Sequence, residues 1–355
     1  MSFITNVFKP LSNDIGIDLG TSSSLVYLRG KGIIINEPSV VALNQKTGQV
    51  VAVGKQAKEM LGRTPQHIRA VRPLVNGVVS DFEVTEEMLA YFLRKAQSGT
   101  RALVGPRVVI GVPSGITNVE SRAVRDAAKN AGAREIYIVE EPIAAAIGMR
   151  LPIHEPRACM VVDIGGGTTD IAVLALNGLV RSKNLHVAGD RLNADIIAHL
   201  RDEFKIVIGE STAEELKFAV CSVLEQKEPL EAPVRGRDLV TGLPKEVIIT
   251  DEDVREAIAS SIDTIIQGVR EVLEESPPTV VSDIMQVGLN ITGGGSLIHG
   301  VPELLQAMLE LPVNVANDPI TSVVRGAGII VENLKDYHDI LLDEDALPNI
   351  ETVQG

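Results

Sequence analysis

Runs of apolar residues alternate with helical patterns along most of this chain. The runs from Ile15 to Tyr27, from Ile33 to Leu43 and from Val108 to Val112 predict buried strands. The apolar spacing from Leu192 to Phe204 and from Glu252 to Glu274 predicts helices with one buried face. The pattern indicates a folded protein of the α/β class.

Capping residues and prolines indicate where several of these elements begin and end. Thr212 and Glu215 have the spacing of a capping box, and Thr250 is placed to cap the helix that follows it. Pro142 suits the first turn of an alanine-rich helix. Residues 228 to 247 are rich in Pro and Gly and predict turns.

Two strand turns in the chain share the same order of residue types: an apolar strand with an Asp, then glycines and hydroxyls, then a second apolar strand. The turns consist of Asp18, Gly20, Thr21, Ser22 and Ser23 near the N-terminus, and of Asp163, Gly165, Gly166, Gly167 and Thr168 in mid-chain. An internal repeat of this kind indicates two similar lobes that face each other across a cleft.

Each turn has the composition of a phosphate site. Glycines let backbone N–H groups approach a phosphate chain, hydroxyls add donors, and an Asp beside the turn suits a Mg²⁺ ion held directly or through water. We therefore expect nucleotide phosphates between the turns, with Asp18 and Asp163 at the metal. One such turn alone is equally consistent with a glycine hairpin and a capping Asp. The repeat favours the phosphate site.

Composition narrows the possible functions further. The 355 residues include 45% hydrophobic but only 3% aromatic side chains, and the formal net charge is −14. Few aromatic rings and an excess of negative charge argue against nucleic acid as a partner. The two cysteines lack metal or redox spacing and suit a reducing compartment. No apolar run is long enough to span a membrane, so a cytoplasmic location is expected.

Several longer strings resemble the bacterial MreB family of actin-like filament proteins, which belongs to the superfamily of actin, sugar kinases and chaperone ATPases. Besides the two turns, the strings run from Gly30 to Ala42, from Val109 to Pro113, from Glu140 to Gly148 and from Thr292 to Ser296. The resemblance implies an actin-like ATPase fold of the α/β class. Two similar lobes would surround a nucleotide cleft, each with a small subdomain.

The resemblance also implies a division of the chain into lobes. Lobe I would comprise residues 14–155 and 325–335, with a small subdomain at about 43–75, and lobe II residues 156–324, with one at about 192–252. Residues 1–13 would form an amphipathic membrane-binding segment. Residues 336–355 lie outside the resemblance, and their acidic composition predicts a flexible tail.

The function implied by the resemblance is that of an ATP-binding cytoskeletal protein. It would polymerise into membrane-associated filaments, hydrolyse ATP, and so organise cell-wall synthesis and rod shape. The cofactors would be ATP, with GTP as the alternative nucleotide, and Mg²⁺. The partners would be further copies of the chain, the inner face of the cytoplasmic membrane, and cell-wall elongation and membrane scaffold proteins.

Two other functions of the superfamily remain as alternatives. A small-molecule kinase would need a sugar or acid pocket, for which no strong signature stands out. A chaperone ATPase is disfavoured because the chain after residue 335 is too short for a peptide-binding domain.

The resemblance assigns roles to residues outside the two turns. Glu141, the residue before Pro142, matches the catalytic Glu that orients the attacking water, with Glu140 as the alternate. Both carboxylates could instead only complement a helix dipole. The candidate nucleoside contacts are Glu214, Glu215, Lys217, Gly293, Gly294, Gly295 and Ser296. A solvated ion pair is the simpler explanation of Glu214 and Lys217.

Two segments are candidates for membrane attachment. The first has apolar residues near helical spacing at the N-terminus, although a frayed terminus is an alternative. The second is a loop that the family places before the strand at residue 107. The candidate residues are Phe3, Ile4, Val7 and Phe8 in the first segment and Leu103 and Val104 in the second.

Overall fold

The chain folds into two lobes of sheet and helix in a computed structural model that describes residues 13–98 and 104–342. The strands of lobe I are β1 (Ile15–Leu19), β2 (Ser23–Leu28), β3 (Gly32–Pro38), β4 (Val41–Asn44), β5 (Val50–Val53), β6 (Ile68–Val71), β7 (Leu74–Val75), β8 (Val78–Val79), β9 (Arg107–Val112) and β10 (Glu135–Glu140). Its helices are α1 (Lys55–Lys58), α2 (Phe82–Gln97), α3 (Asn118–Asn130) and α4 (Glu141–Gly148).

Lobe II follows along the chain. Its strands are β11 (Cys159–Ile164), β12 (Thr169–Ala175), β13 (Gly178–Leu185), β14 (Ile206–Val207), β15 (Glu231–Asp238), β16 (Pro244–Thr250), β17 (Leu289–Thr292) and β18 (Val313–Val315). Its helices are α5 (Gly189–Glu203), α6 (Glu210–Val220), α7 (Asp251–Glu274), α8 (Pro278–Val287) and α9 (Val301–Leu309). The helix α10 (Ser322–Glu332) then returns to lobe I, where it packs on β1 and β9.

The two lobes contain five-stranded sheets of identical topology. In lobe I the order is β3-β2-β1-β9-β10, and in lobe II it is β13-β12-β11-β17-β18. The first three strands of each sheet are antiparallel, whereas the pairs β1–β9, β9–β10, β11–β17 and β17–β18 are parallel. The predicted α/β fold with a duplicated lobe is therefore confirmed.

Both central sheets are buried by helices, which explains the long apolar runs in the sequence. Every residue of β11 is buried, and β9 is buried after its first residue. Strands covered on both faces need no polar alternation, so they read as continuous hydrophobic segments. Smaller sheets extend each lobe beside the cleft, in the order β5-β4-β6 in lobe I and β14-β15-β16 in lobe II.

Small residues let α4 and α10 cross in close contact at the base of the two lobes. A Cβ atom placed on Gly148 would lie 1.9 Å from the carbonyl oxygen of Ser322, and one on Gly326 would lie 1.8 Å from that of Ala144. Only glycine fits at either position, because real Cβ atoms do not approach a backbone oxygen so closely. The helix that begins at the candidate Glu141 is therefore fixed against a helix that joins the lobes.

Some elements differ from the sequence expectations. Residues 228–247 were expected to be turns, but most of them form β15 and β16. Gly236 marks a close approach of strands, since a Cβ there would lie 2.4 Å from the carbonyl oxygen of Val207. The prediction of a capping box at Thr212 and Glu215 is wrong, because α6 begins at Glu210 and Gly209 is its N-cap residue.

Other helix ends agree with the expected signals. Thr250 and Asp253 form a capping box at the start of α7, and Pro142 lies in the first turn of α4. The flexible tail was expected to begin at residue 336, but Ile340 is buried and the backbone N–H of Leu342 donates to the carbonyl oxygen of Ile138. Residues 343–355 lie outside the described chain.

Candidate functional site

A cleft of about 620 Å³ opens between the two lobes. Both glycine turns line it, the first between β1 and β2 and the second between β11 and β12. The equivalent sheet positions of Asp18 and Asp163 bring both carboxylates to the cleft: Asp18 pairs with Gly111 of β9, and Asp163 with Thr292 of β17. The lining thus includes every residue predicted in the two turns.

The two turns lie against each other across the cleft. A Cβ atom on Gly166 would be 2.5 Å from the Cβ of Ser22, and one on Gly167 would be 2.5 Å from the Oγ1 of Thr21. The Thr21 hydroxyl also accepts a hydrogen bond of 2.8 Å from the backbone N–H of Gly77. Glycine is required in the second turn because the first turn occupies the space of a side chain. Their backbones can therefore approach one ligand from two sides.

Four carboxylates line this part of the cleft: Asp18, Glu141, Asp163 and Asp170. Burial raises the pKa of Asp18 from 3.8 to about 7, and it raises the pKa of Glu141 and of Asp163 well above their usual values. Repulsion from Asp170 and Asp18 adds to the shift of the pKa at both buried groups. A region with this much unneutralised acid suits a cation bound together with an anionic ligand.

Asp170 was not predicted as a site residue, and it bonds to both lobes. Its carboxylate accepts hydrogen bonds from the backbone N–H of Ser114 in lobe I, at 2.8 Å, and from Nδ2 of Asn184 in lobe II, at 2.9 Å. Burial raises its pKa, while these donors lower it. The available signal was a second carboxylate seven residues after Asp163, but its partners are distant in sequence.

The structure separates the roles of the neighbouring residues Glu140 and Glu141. Glu141 is buried and lines the cleft. Glu140 instead accepts a hydrogen bond of 3.2 Å from the backbone N–H of Gly115, and it is not among the residues that line the cleft. The geometry thus favours Glu141 as the residue that faces a bound ligand. Glu140 ties the end of β10 to the loop after β9.

The residues of the cleft fit a hydrated Mg²⁺ ion. Asp18 and Asp163 have no hydrogen-bond or ion-pair partner among residues 13–98 and 104–342, so their oxygens are free to accept from water or to bind metal. Within the same residues no group of three or more His, Cys, Asp or Glu side chains is placed to hold a metal by itself. Mg²⁺ keeps several waters and prefers one or two carboxylates plus phosphate oxygens, which agrees with this arrangement.

Part of the cleft lining is apolar. The apolar side chains are those of Phe218 in α6, of Leu230, and of Leu297 and Ile298, which follow the glycines at 293–295. Such surfaces suit the faces of a planar base, whereas the turns supply amides for phosphates. The cavity lining therefore combines polar turns with apolar side chains.

Five of the predicted nucleoside contacts reach the cleft. Glu214, Lys217, Gly293, Gly294 and Gly295 line the cleft. Lys217 donates to the carbonyl oxygen of Gly189 at 2.9 Å, and burial lowers its pKa. Gly293 has a φ of 80°, and a Cβ there would lie 2.3 Å from Oδ1 of Asp163, so only glycine fits.

Two residues of the same prediction do not reach the cleft. Glu215 is exposed, on a part of α6 that does not line the cavity, and it accepts from the hydroxyl of Ser211. Ser296 is buried, and its hydroxyl donates to the carbonyl oxygen of Gly293 at 2.7 Å. Ser296 therefore stabilises the glycine loop from within.

Most of the predicted membrane residues lie outside the described chain, namely Phe3, Ile4, Val7, Phe8 and Leu103. Val104 is described and is half-buried. In the part of the chain that the structure describes, no helix has the length and apolar character needed to cross a bilayer.

Known proteins are similar to this chain over nearly its whole length. A family model described as MreB/Mbl protein matches residues 12–339. The cell shape-determining protein Mbl of Bacillus subtilis (strain 168) is 45% identical over 324 residues, which cover 91% of this chain and 97% of the relative. The cell shape-determining protein MreB of Escherichia coli (strain K12) is 44% identical over 338 residues, with coverages of 94% and 97%.

The fold of this chain is also similar to that of a solved structure. MreB5 of Spiroplasma citri bound to ADP has a TM-score of 0.87 to this structure at 35% sequence identity. The match covers 92% of this chain and 98% of that chain.

Proposed function

This chain belongs to the MreB/Mbl family of actin-like cytoskeletal proteins, and from that premise we propose that it binds ATP between its lobes, polymerises into filaments and hydrolyses the bound nucleotide. The proposal rests on the contact between the two glycine turns, each of which brings a carboxylate to the cleft. Glu141 is buried and lines the same cleft. The structure of MreB5 bound to ADP supports an adenine nucleotide as the ligand of this cleft.

The backbone amides of the two turns would bind the phosphates, and the base would lie against the apolar side chains of the lining. Asp18 and Asp163 would hold a hydrated Mg²⁺, which neutralises phosphate charge when bound. Glu141 would accept a hydrogen bond from the attacking water and so orient it towards the terminal phosphate. This role requires an ionised carboxylate, so the raised pKa of Glu141 must fall when a cation enters the cleft.

Polymerisation would couple this chemistry to assembly. ATP would favour the filament, and hydrolysis would weaken it. A small-molecule kinase, the other candidate, is not favoured because the relatives are named as cell shape-determining proteins. Incubation with ATP and sugars separates the two functions: a kinase yields a phosphorylated sugar, whereas the filament protein yields inorganic phosphate.

We also propose that the filaments lie on the inner face of the cytoplasmic membrane, through the apolar residues at the N-terminus or the loop at Leu103 and Val104. Cell-wall elongation and membrane scaffold proteins are the expected partners, by family membership.

The nucleotide site is tested by calorimetry with Mg-ATP. Asp18→Ala and Asp163→Ala should each weaken binding because both carboxylates face the same phosphate chain. Glu140→Gln is the matched control, since that carboxylate faces Gly115 rather than the cleft. Unchanged affinity in both Asp variants would exclude a metal-bearing phosphate site between the turns.

A further inference from the structure

Arg72 reaches from lobe I to two carboxylates of lobe II. It follows β6 in the small sheet of lobe I, and its Nη1 atom lies 2.5 Å from Oε1 of Glu210 and 3.5 Å from Oδ1 of Asp190. The Arg72 side chain is only 20% exposed. The guanidinium therefore bridges the first turn of α6 and the first turn of α5.

A second cation of lobe I also pairs with a carboxylate of lobe II. Nζ of Lys58, the last residue of α1, lies 2.5 Å from Oε2 of Glu214. Glu210 and Glu214 are four residues apart on α6, so both cations meet one face of that helix. Glu214 lines the nucleotide cleft and is 14% exposed at its side chain. These three ion pairs, which we call the cross-lobe pairs, join α1 and the end of β6 in lobe I to α5 and α6 in lobe II.

Lobe II connects the cross-lobe pairs directly to the second glycine turn. The backbone N–H of Asp190 donates to the carbonyl oxygen of Gly166 at 2.7 Å, and that of Gly189 donates to Gly165 at 3.2 Å. Lys217 of α6 donates to the carbonyl oxygen of Gly189. The turn and the N-terminal parts of α5 and α6 are thus bonded together, so an ion pair that holds α5 and α6 also holds the turn.

We propose that Arg72 and Lys58 are positioning residues that hold the cleft closed over its nucleotide and so set the rate at which the nucleotide leaves. The proposal rests on the proposed function only in taking the cleft to be a nucleotide site. Neither residue lines the cleft. They act through Asp190, Glu210 and Glu214, and opening the lobes requires all three pairs to break.

The size of the effect follows from the exposure of the pairs. An exposed ion pair changes an equilibrium by up to about fivefold, and partly buried pairs are screened less by salt. Reversing one charge adds repulsion of similar size to the loss of attraction. We therefore expect Arg72→Glu to release nucleotide about tenfold faster than the wild-type chain.

The experiment measures release of a fluorescent ATP analogue after a chase with excess ATP, at a protein concentration below that needed for assembly. Arg72→Glu and Glu210→Arg should each accelerate release. The double variant, which restores opposite charges, should return to within about threefold of wild type, while a merely damaged fold would be worse in the double variant. Arg235→Glu is the matched control, because Arg235 pairs with Glu246 within one exposed hairpin of lobe II.

Arg72→Gln provides a milder variant if the reversal impairs folding, and thermal unfolding reports the fold of each variant. It should release nucleotide severalfold faster at low salt, and the difference from wild type should shrink at high salt as the pairs are screened. Release rates within twofold of wild type in both Arg72 variants, or a double variant as fast as the single ones, would overturn the proposal. A wild-type chain that binds no ATP would instead refute the nucleotide site itself.

Discussion

Glu141 offers the sharpest test at the scale of a single residue, because its charge can be removed without changing its shape. Glu141→Gln should bind ATP as tightly as wild type or more tightly, since one negative charge near a polyanion is lost. Hydrolysis should fall by roughly 10²–10⁴, as is typical when a positioned acid–base group is lost. Calorimetry and single-turnover phosphate release measure the two quantities separately.

Glu140→Gln is the control for this prediction and should hydrolyse ATP nearly normally. Its carboxylate is occupied by the backbone N–H of Gly115. If this variant is the slow one and Glu141→Gln hydrolyses normally, the roles of the two residues are exchanged. If neither is slow, both carboxylates only complement the dipole of α4, and the water is oriented by another group.

Asp18 should make the stability of the metal-free protein depend on pH. Burial raises its pKa to about 7 from 3.8, so the folded state binds the proton more tightly than the unfolded chain. The stabilisation is fully present below pH about 3.8 and is lost as the pH rises through about 7. The melting temperature should therefore fall between about pH 4 and pH 7 and level off above that.

Asp18→Asn removes this titration and should flatten the pH dependence in scanning calorimetry. Asp163 and Glu141 have raised pKa values as well, so part of the decline should remain in the variant. A wild-type melting temperature that rises over the same range would contradict the assignment, as would an Asn variant with an unchanged slope.

Site residues could be predicted from the sequence where their arrangement depends on residues close to them in the chain. The carboxylate and glycines of each turn are close in the chain, so their arrangement followed from strand and turn preferences. Asp170 was missed because its donor Ser114 lies in the other lobe, and Glu215 was wrongly placed because the start of α6 was misjudged. The observed N-cap Gly209 precedes the predicted N-cap Thr212 by three residues, so Glu215 lies in the second turn of α6 and not in a capping box.

At the scale of the element, the second turn should not tolerate a side chain. In Gly166→Val the Cβ would meet Ser22 of the first turn, so the two turns must separate. We expect ATP affinity to fall at least tenfold, because two displaced turns cannot contact one phosphate chain together. Gly209→Ala is the control, since a Cβ there meets nothing within 4 Å. Equal affinities in the two variants, measured by calorimetry, would indicate an ordinary hairpin.

The N-terminal segment should act as a separate element. Removing residues 1–11 should reduce co-sedimentation with anionic liposomes, because the apolar side chains Phe3, Ile4, Val7 and Phe8 are lost. ATP affinity should be unchanged, because the cleft lining begins at Asp18. Equal liposome binding after truncation would move the attachment to Leu103 and Val104 or dismiss it.

Elements were predicted best where one dominant signal marks them. The cap at Thr250 and the long apolar face after it predicted a helix from Glu252 to Glu274, and α7 spans Asp251–Glu274. The segment with β15 and β16 was misjudged because Pro and Gly usually end strands. Here β14 pairs only with Arg237 and Asp238, so Pro233 lies where β15 has a neighbour on one side only.

At the scale of the whole molecule, the sequence repeat predicted two lobes but not how they meet. The identical order of both sheets follows from the repeated strand pattern. The cross-lobe pairs join residues such as Lys58 and Glu214, which are 156 positions apart, and no periodicity connects them. Long-range pairs of this kind depend on the packing of complete lobes.

The central claim is that ATP held between the two turns drives assembly, and sedimentation tests it most directly. The wild-type chain should pellet as filaments with ATP and Mg²⁺, much less so with ADP, while Asp163→Ala should stay in the supernatant under both conditions. Thermal unfolding would verify that the variant is folded. Pelleting that is independent of nucleotide, or that is equal in Asp163→Ala and wild type, would contradict the account.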